Sequence, residues 1–110
     1  MAASKYLQAQ GFQILDQNCR FKLHEVDLVV FDVKTNEVAF VEVKSRSSCD
    51  FGEPSAAVGW KKVRSLERVA LAYLREKELN QYDFRFDVVS VIKEPFSVNH
   101  YPNITWEMVK

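Results

Sequence analysis

An α+β or mixed α/β domain built on one mixed β-sheet is the fold class this sequence predicts, and three observations predict it. First, its 110 residues, 47% of them apolar, suffice to bury one core and are too few for two. Second, two β-patterned runs, at 25–31 and 38–44, are joined across a short polar turn, as in an antiparallel pair. Third, a further β-patterned run at 84–92 follows only after a long amphipathic segment, which marks a strand-helix-strand crossover and hence a parallel pair. With 3 Gly, 3 Pro and no repeat or low-complexity stretch, no linker divides the chain, and residues 1–110 are expected to form a single domain.

In chain order, Ala2 to about Gln10 reads as a short helix with Tyr6 and Leu7 on its apolar side and Gly11 where a helix stops. Phe12 to about Phe21 reads as a first strand, with Phe12, Ile14 and Leu15 among β-formers and an irregular finish in the polar Asp16-to-Arg20 stretch. In Glu25-Val26-Asp27-Leu28-Val29-Val30-Phe31, a period of two puts Val26, Leu28 and Val30 on one face and Glu25 with Asp27 on the other. A turn at Lys34-Thr35-Asn36 returns the chain into Val38-Ala39-Phe40-Val41-Glu42-Val43-Lys44. The faces of that strand are Val38/Phe40/Glu42/Lys44 and Ala39/Val41/Val43, both largely apolar, as in a central strand covered on two sides. Ser45 to Pro54 is a polar loop leading to a helix from roughly Ala56 to Lys77, whose apolar stripe is Val63, Leu66, Ala70, Tyr73 and Leu74. Phe84 to Ile92 is the strand beyond the crossover; after a turn at Tyr101-Pro102-Asn103, the tail Ile104 to Val109 reads as a last, edge strand. The order is α-β-β-β-α-β-β, a central mixed sheet flanked by helices.

Lys and Arg number 15 and so do Asp and Glu, so no bulk attraction draws this chain to a polyanion, and any such partner must be met by a local patch. There is no basic segment followed by an apolar run at the N-terminus and no stretch of about 18 apolar residues, so neither secretion nor a membrane span is indicated. Cytoplasmic residence is the expectation. Cys19 and Cys49 lie far apart with no CxxC or Cys/His spacing and read as reduced thiols; His24 and His100 likewise lack metal-ligand spacing.

Metal-assisted phosphodiester cleavage needs anionic oxygens for a hard cation, an activated water and a positive group where charge develops on the phosphate. Glu42 and Lys44, two apart on a strand, project from one face where the apolar run ends. Antiparallel pairing about the Lys34-to-Asn36 turn brings residues whose numbers sum to about 70 opposite each other, which sets Asp27 near Val43 and within reach of Glu42 and Lys44. Two acids sharing a partly desolvated site repel unless Lys44 or a cation neutralises them, which is the physical argument for a metal.

Taken in order, Glu25-Val26-Asp27-Leu28-Val29, then Phe40-Val41-Glu42-Val43-Lys44-Ser45-Arg46, then Arg85-Phe86-Asp87-Val88-Val89 resemble the YraN-type family of uncharacterised bacterial proteins, from Tyr6 to about Ile104. That family sits in the restriction-endonuclease-like superfamily named for its PD-(D/E)xK motif, which includes archaeal Holliday-junction resolvases. A bare ExK is a weak signal; the ordered set with the intervening helix is a strong one. The resemblance implies a restriction-endonuclease-like core in which Asp27 and Glu42 ligate Mg²⁺, with Mn²⁺ as a substitute. It further implies that the Val43 carbonyl completes the shell, that Glu25 is an additional candidate ligand, and that Lys44 orients the water or stabilises the transition state. This chain departs from the family pattern at His24, where glycine is usual, and lacks the Glu that the family tends to carry just upstream of the stretch that begins here at Met1.

The bland reading of Glu42 and Lys44 is a surface ion pair worth about 0 to 1 kcal/mol; Asp27 and the flanking motifs outweigh it. Asp87 reads as structural, pairing Arg85 or Lys44, with a place near the metal as the alternative. From Lys44 through Arg75 there are seven basic residues against three acids, and Arg46, Lys61, Lys62 and Arg64 are the candidate phosphate contacts in that excess. Three functions are thus weighed. The leading one is a Mg²⁺-dependent deoxyribonuclease acting on DNA, branched forms included. A catalytically silent nucleic-acid-binding domain is the second. The third is a protein-interaction domain pairing through its C-terminal edge strand as a homodimer.

Overall fold

The computed structural model describes residues 2–21, 24–46, 60–93 and 96–102, with 21, 24, 46 and 60–66 described by backbone alone. Seven elements follow in order: α1 (Ala2–Ala9), β1 (Gln13–Phe21), β2 (His24–Asp32), β3 (Glu37–Arg46), α2 (Trp60–Glu76), β4 (Asp83–Lys93) and β5 (Phe96–Tyr101). The strands form one sheet in the order β1-β2-β3-β4-β5, parallel only between β3 and β4 and antiparallel elsewhere. This is a mixed-sheet α+β fold, compatible with a restriction-endonuclease-like core. The expected strand at Ile104 to Val109 lies outside the described residues, as do residues 56–59 of the expected second helix. Among the described residues the edge strands are β1 and β5, and β5 (Phe96–Tyr101) is a strand the sequence did not predict.

Both helices end by the same device. Gly11, at φ +96°, turns the chain out of α1 while Phe12 N–H donates to Leu7 C=O and Gly11 N–H to Gln8 C=O, which caps the last orphan carbonyls. At the end of α2 the left-handed position is held by Glu78 at φ +58°, with Leu79 N–H donating to Leu74 C=O at 2.7 Å. Between β2 and β3, Asp32 fixes the turn: its Oδ1 accepts from Lys34 N–H and its C=O from Asn36 N–H.

Each face of the sheet carries one core. α2 brings Val69, Ala70, Tyr73 and Leu74 against Val26, Val29, Val38, Phe40 and Phe86. Phe40 is the hub, edge-on to Tyr73 at 5.6 Å and to Phe84 at 6.2 Å between ring centroids. α1 brings Ala3 and Leu7 against Leu28, Val30, Ala39, Val41, Val89 and Val91. The two faces expected for β3 are thus observed, and so are Ala70, Tyr73 and Leu74 as the buried side of α2; the side chains of Val63 and Leu66 lie outside the described residues.

One expectation for β2 is corrected. Val26 does not share a face with Leu28 and Val30: it packs on the α2 side, whereas they pack under α1. Alternation slips once between Val26 and Leu28, at Asp27. Across the ladder Gln17 meets Leu28 and Cys19 meets Val26, so Asn18 stands opposite Asp27, and Asn18 is in the left-handed conformation at φ +52°. Asparagine tolerates that region better than most side chains. A separate bulge between Ile14 and Asp16 turns Leu15 and Asp16 toward α2, where Tyr73 O–H donates to Asp16 Oδ2 at 2.7 Å.

Replacing Glu78 with glycine removes a side chain from the left-handed cap and is expected to stabilise the fold by about 0.5–1 kcal/mol, read by urea denaturation.

Candidate functional site

Where β3 outruns β2, the sheet forks. The β2 ladder stops at Leu28 beside Val41, whereas the β4 ladder runs on to Arg46 beside Ile92. At the fork, Asp27 Oδ2 accepts a hydrogen bond from Val43 N–H at 2.7 Å, taking the place of the backbone carbonyl that a continued ladder would supply. Within a strand the N–H and C=O of one residue leave by the same edge, so the Val43 carbonyl faces the side on which Asp27 stands. The observed register sums to 69, one residue from the expected value.

Glu42 and Lys44 flank Val43 and share the α2 face of β3. Their side chains are 20% and 26% exposed, and Lys44 Nζ lies 3.4 Å from Glu42 Oε1. Asp27 is therefore anchored on the residue that separates the acid from the lysine. This end of β3 is also the C-terminal end of the parallel β3–β4 pair, the position where open sheets with a parallel core tend to bind ligands.

Other sequence candidates fall elsewhere. Glu25 is half exposed and reaches Arg20 at 3.6 Å, a surface pair worth at most about 1 kcal/mol after solvent screening. Among the described residues no three His, Cys, Asp or Glu side chains form a group able to hold a metal. The side chains of Arg46, Lys61, Lys62 and Arg64 lie outside the described residues, as does all of Cys49; Arg68 and Arg75 are exposed on α2. Cys19 is a free thiol whose pKa is pushed up by burial and then by Asp16, which disfavours the reactive thiolate.

Asp87 lies on the opposite face, paired with Arg85 and not with Lys44. Arg85, 8% exposed, donates from Nε to Asp87 Oδ1 at 3.0 Å and from Nη1 to Asp32 Oδ2 at 2.9 Å and Glu37 Oε1 at 3.0 Å. His100 Nε2 lies 2.7 Å from Asp87 Oδ2; a carboxylate already bound by Arg85 accepts, so the ring N–H donates. Burial alone pulls the Arg85 guanidinium down, but Asp87, Asp32 and Glu37 outweigh it and hold the group above its ordinary range. Burial pushes the Asp32 carboxyl up, yet the bonds from Arg85, Lys34 N–H and Thr35 hold it below the ordinary carboxylate value. Sequence reasoning anticipated the Asp87–Arg85 pair but missed its extension to Asp32, Glu37 and His100. The available signal was an arginine between two phenylalanines in a buried strand, a position that demands anionic partners. A cleft of about 140 Å³ opens beside it, lined by Tyr6, Phe12, Asp32 and His100 among others and by none of Asp27, Glu42 or Lys44.

The fork's donors suit a hard cation. Mg²⁺ is bound through one or two carboxylates with water completing its shell, and the carboxylates of Asp27 and Glu42 and the carbonyl of Val43 are oxygen donors of the chemical kind it takes.

Comparison with known proteins adds a family likeness. The model of the uncharacterised protein family UPF0102, the YraN family, matches residues 1–91. A UPF0102 protein of Alkaliphilus metalliredigens is 43% identical over 99 residues, covering 90% of this chain and 85% of the relative. One from Myxococcus xanthus is 39% identical, covering 92% and 80%, and one from Chlorobium limicola is 30% identical, covering 97% and 88%.

Two outcomes follow from the charge arrangement. Arg85→Met leaves Asp32, Glu37 and Asp87 without their cation and is expected to cost about 3–5 kcal/mol in urea denaturation. Asp32, with its folded pKa depressed, contributes stability that is fully present above its unfolded value near 3.8 and is lost as pH falls through the folded value. The acid limb of the stability profile should therefore shrink in Arg85→Met. At the fork, Asp27→Ala orphans Val43 N–H and is expected to cost about 1–3 kcal/mol, whereas Asp27→Asn keeps an acceptor oxygen and should recover most of that loss.

Proposed function

The chain belongs to the uncharacterised protein family UPF0102, and on that premise we propose that it is a metal-dependent deoxyribonuclease hydrolysing phosphodiester bonds, with branched or structured DNA as its substrate class. The observation that carries this reading is the fork itself: a carboxylate from β2 docked on the residue between an acid and a lysine, at the C-terminal end of a parallel strand pair. Asp27, Glu42 and the Val43 carbonyl would hold Mg²⁺, or Mn²⁺ in its place. Such an ion supplies Lewis-acid polarisation of the phosphoryl oxygens and a water acidified enough to attack phosphorus.

The chain's own residues have distinct tasks. Asp27, already oriented by Val43 N–H, presents its carboxylate without further ordering, which lowers the entropic cost of binding. Glu42 is neutralised by Lys44 before any cation arrives, so the two acids can stand at one fork without unbalanced repulsion. Lys44 brings a compact positive charge that suits a phosphate oxygen and the charge developing on it. Arg46, Lys61, Lys62 and Arg64 supply the local basic excess from which sequence-independent contacts to the DNA backbone are made.

One observation favours a second reading, a catalytically silent nucleic-acid-binding domain: the described residues offer two carboxylates at the fork and no third His, Cys, Asp or Glu with them. The two readings separate in one assay. Wild-type protein, Glu42→Ala and Lys44→Ala are incubated with linear, nicked and four-way-junction DNA in Mg²⁺, Mn²⁺ or a chelator. Metal-dependent cleavage by the wild type, reduced at least about 100-fold in both variants, is the expected result. Salt-sensitive binding without cleavage selects the second reading, and equal cleavage by the variants overturns the assignment of the site.

A further inference from the structure

Ser90 lies inside β4, beside Lys44 in the parallel register, and on the same face of the sheet as Glu42 and Lys44. It is 1% exposed, and its Oγ has no hydrogen-bond partner among the described residues. A buried hydroxyl without a partner is destabilising, so such a group among Val88, Val89 and Val91 calls for a reason. Alanine would fill the position without that cost. The site next door supplies a reason, because it contains an ammonium whose partner is also a candidate metal ligand.

We propose that Ser90 is a positioning residue for Lys44: its hydroxyl is the acceptor that receives the Lys44 ammonium when Glu42 turns from the lysine to a divalent cation. This inference rests on the metal-binding reading of the fork. In the structure Glu42 holds Lys44 at 3.4 Å. A carboxylate that coordinates a cation surrenders much of that attraction, and the ammonium is then left close to a second positive charge. A neutral acceptor on the adjoining strand draws the ammonium aside without adding charge to the site, and lysine's flexible stem makes the swing inexpensive. Ser90 occupies the adjacent register position for this, one strand away from Lys44 on the side opposite Asp27.

The test is a double-mutant cycle read by calorimetric titration of Mn²⁺ into wild type, Ser90→Ala, Lys44→Ala and the double variant, with thermal melts of each in the absence of metal. Ser90→Ala is expected to melt at or above the wild-type temperature, since an unsatisfied buried hydroxyl is gone, and to bind Mn²⁺ about tenfold more weakly. In the Lys44→Ala background the same substitution should leave Mn²⁺ affinity unchanged, because the group that Ser90 serves is missing. Equal Mn²⁺ affinity of Ser90→Ala and wild type, an undiminished loss in the Lys44→Ala background, or a lowered melting temperature would each overturn the assignment while leaving the metal reading intact. A wild-type protein that binds no Mn²⁺ overturns both.

Discussion

Ten residues of β3 lie beside ten of β4 in a single parallel register, from Glu37 beside Asp83 to Arg46 beside Ile92. A parallel neighbour cannot be reached by a tight turn, so the chain must cross over the sheet between them, and α2 is part of that crossing. Once α2 covers one face, the other must be covered too, because β3 and β4 are apolar on both sides; α1 does this with Ala3 and Leu7. The long pairing with β4 also carries β3 beyond the point where β2 leaves it. The fork at Asp27 is thus a consequence of two ladders of unequal length sharing one central strand.

Two charged groupings sit on this sheet, and they differ in kind. Around Arg85 every charge faces an opposite one at hydrogen-bond distance, with Arg85 at 8% and Asp87 at 1% exposure, and Phe12 stacks edge-on against His100. Such a cluster is closed: it anchors the β2–β3 turn to β4 and β5, and removing one member is costly because the others are left uncompensated. At the fork the acid and the lysine are a fifth to a quarter exposed and meet at 3.4 Å, a looser contact from which either group can be drawn by a ligand. Close, buried contact marks the first grouping as architecture; a longer and partly exposed contact at a ladder end gives the second the capacity to exchange partners.

Much of this arrangement was legible in the residues alone, where local rules apply. Period-two alternation placed Val38 and Phe40 on one face of β3 and Ala39 and Val41 on the other, and the Lys34-to-Asn36 turn set the β2–β3 register to within one residue, which brought Asp27 to Val43. What escaped was non-local. Val26 left its expected face because Asn18, on another strand, takes a left-handed backbone opposite Asp27. β5 was missed because Phe96–Tyr101 mixes polar and apolar residues without clean alternation, and its pairing with β4 is what makes it a strand. The Arg85 cluster draws on β2, the turn, β3, β4 and β5, and no window of sequence contains it.

A strand paired along its whole length presents a ligand with side chains only, because its backbone groups are all committed to neighbours. Chemistry that needs a backbone carbonyl together with carboxylates is therefore confined to places where a ladder stops. Here the β2–β3 ladder stops at Leu28, next to the slip of alternation at Asp27, and the β2-facing edge of Val43 lies beyond it. The carboxylate that then caps Val43 N–H keeps that edge from being an unsatisfied defect. The same hydrogen bond thus repairs the sheet and orients the acid. For that reason the fork can be stable without a ligand and still offer oxygen atoms to one, and a mutation that merely restored regular pairing there would strengthen the sheet at the expense of the site.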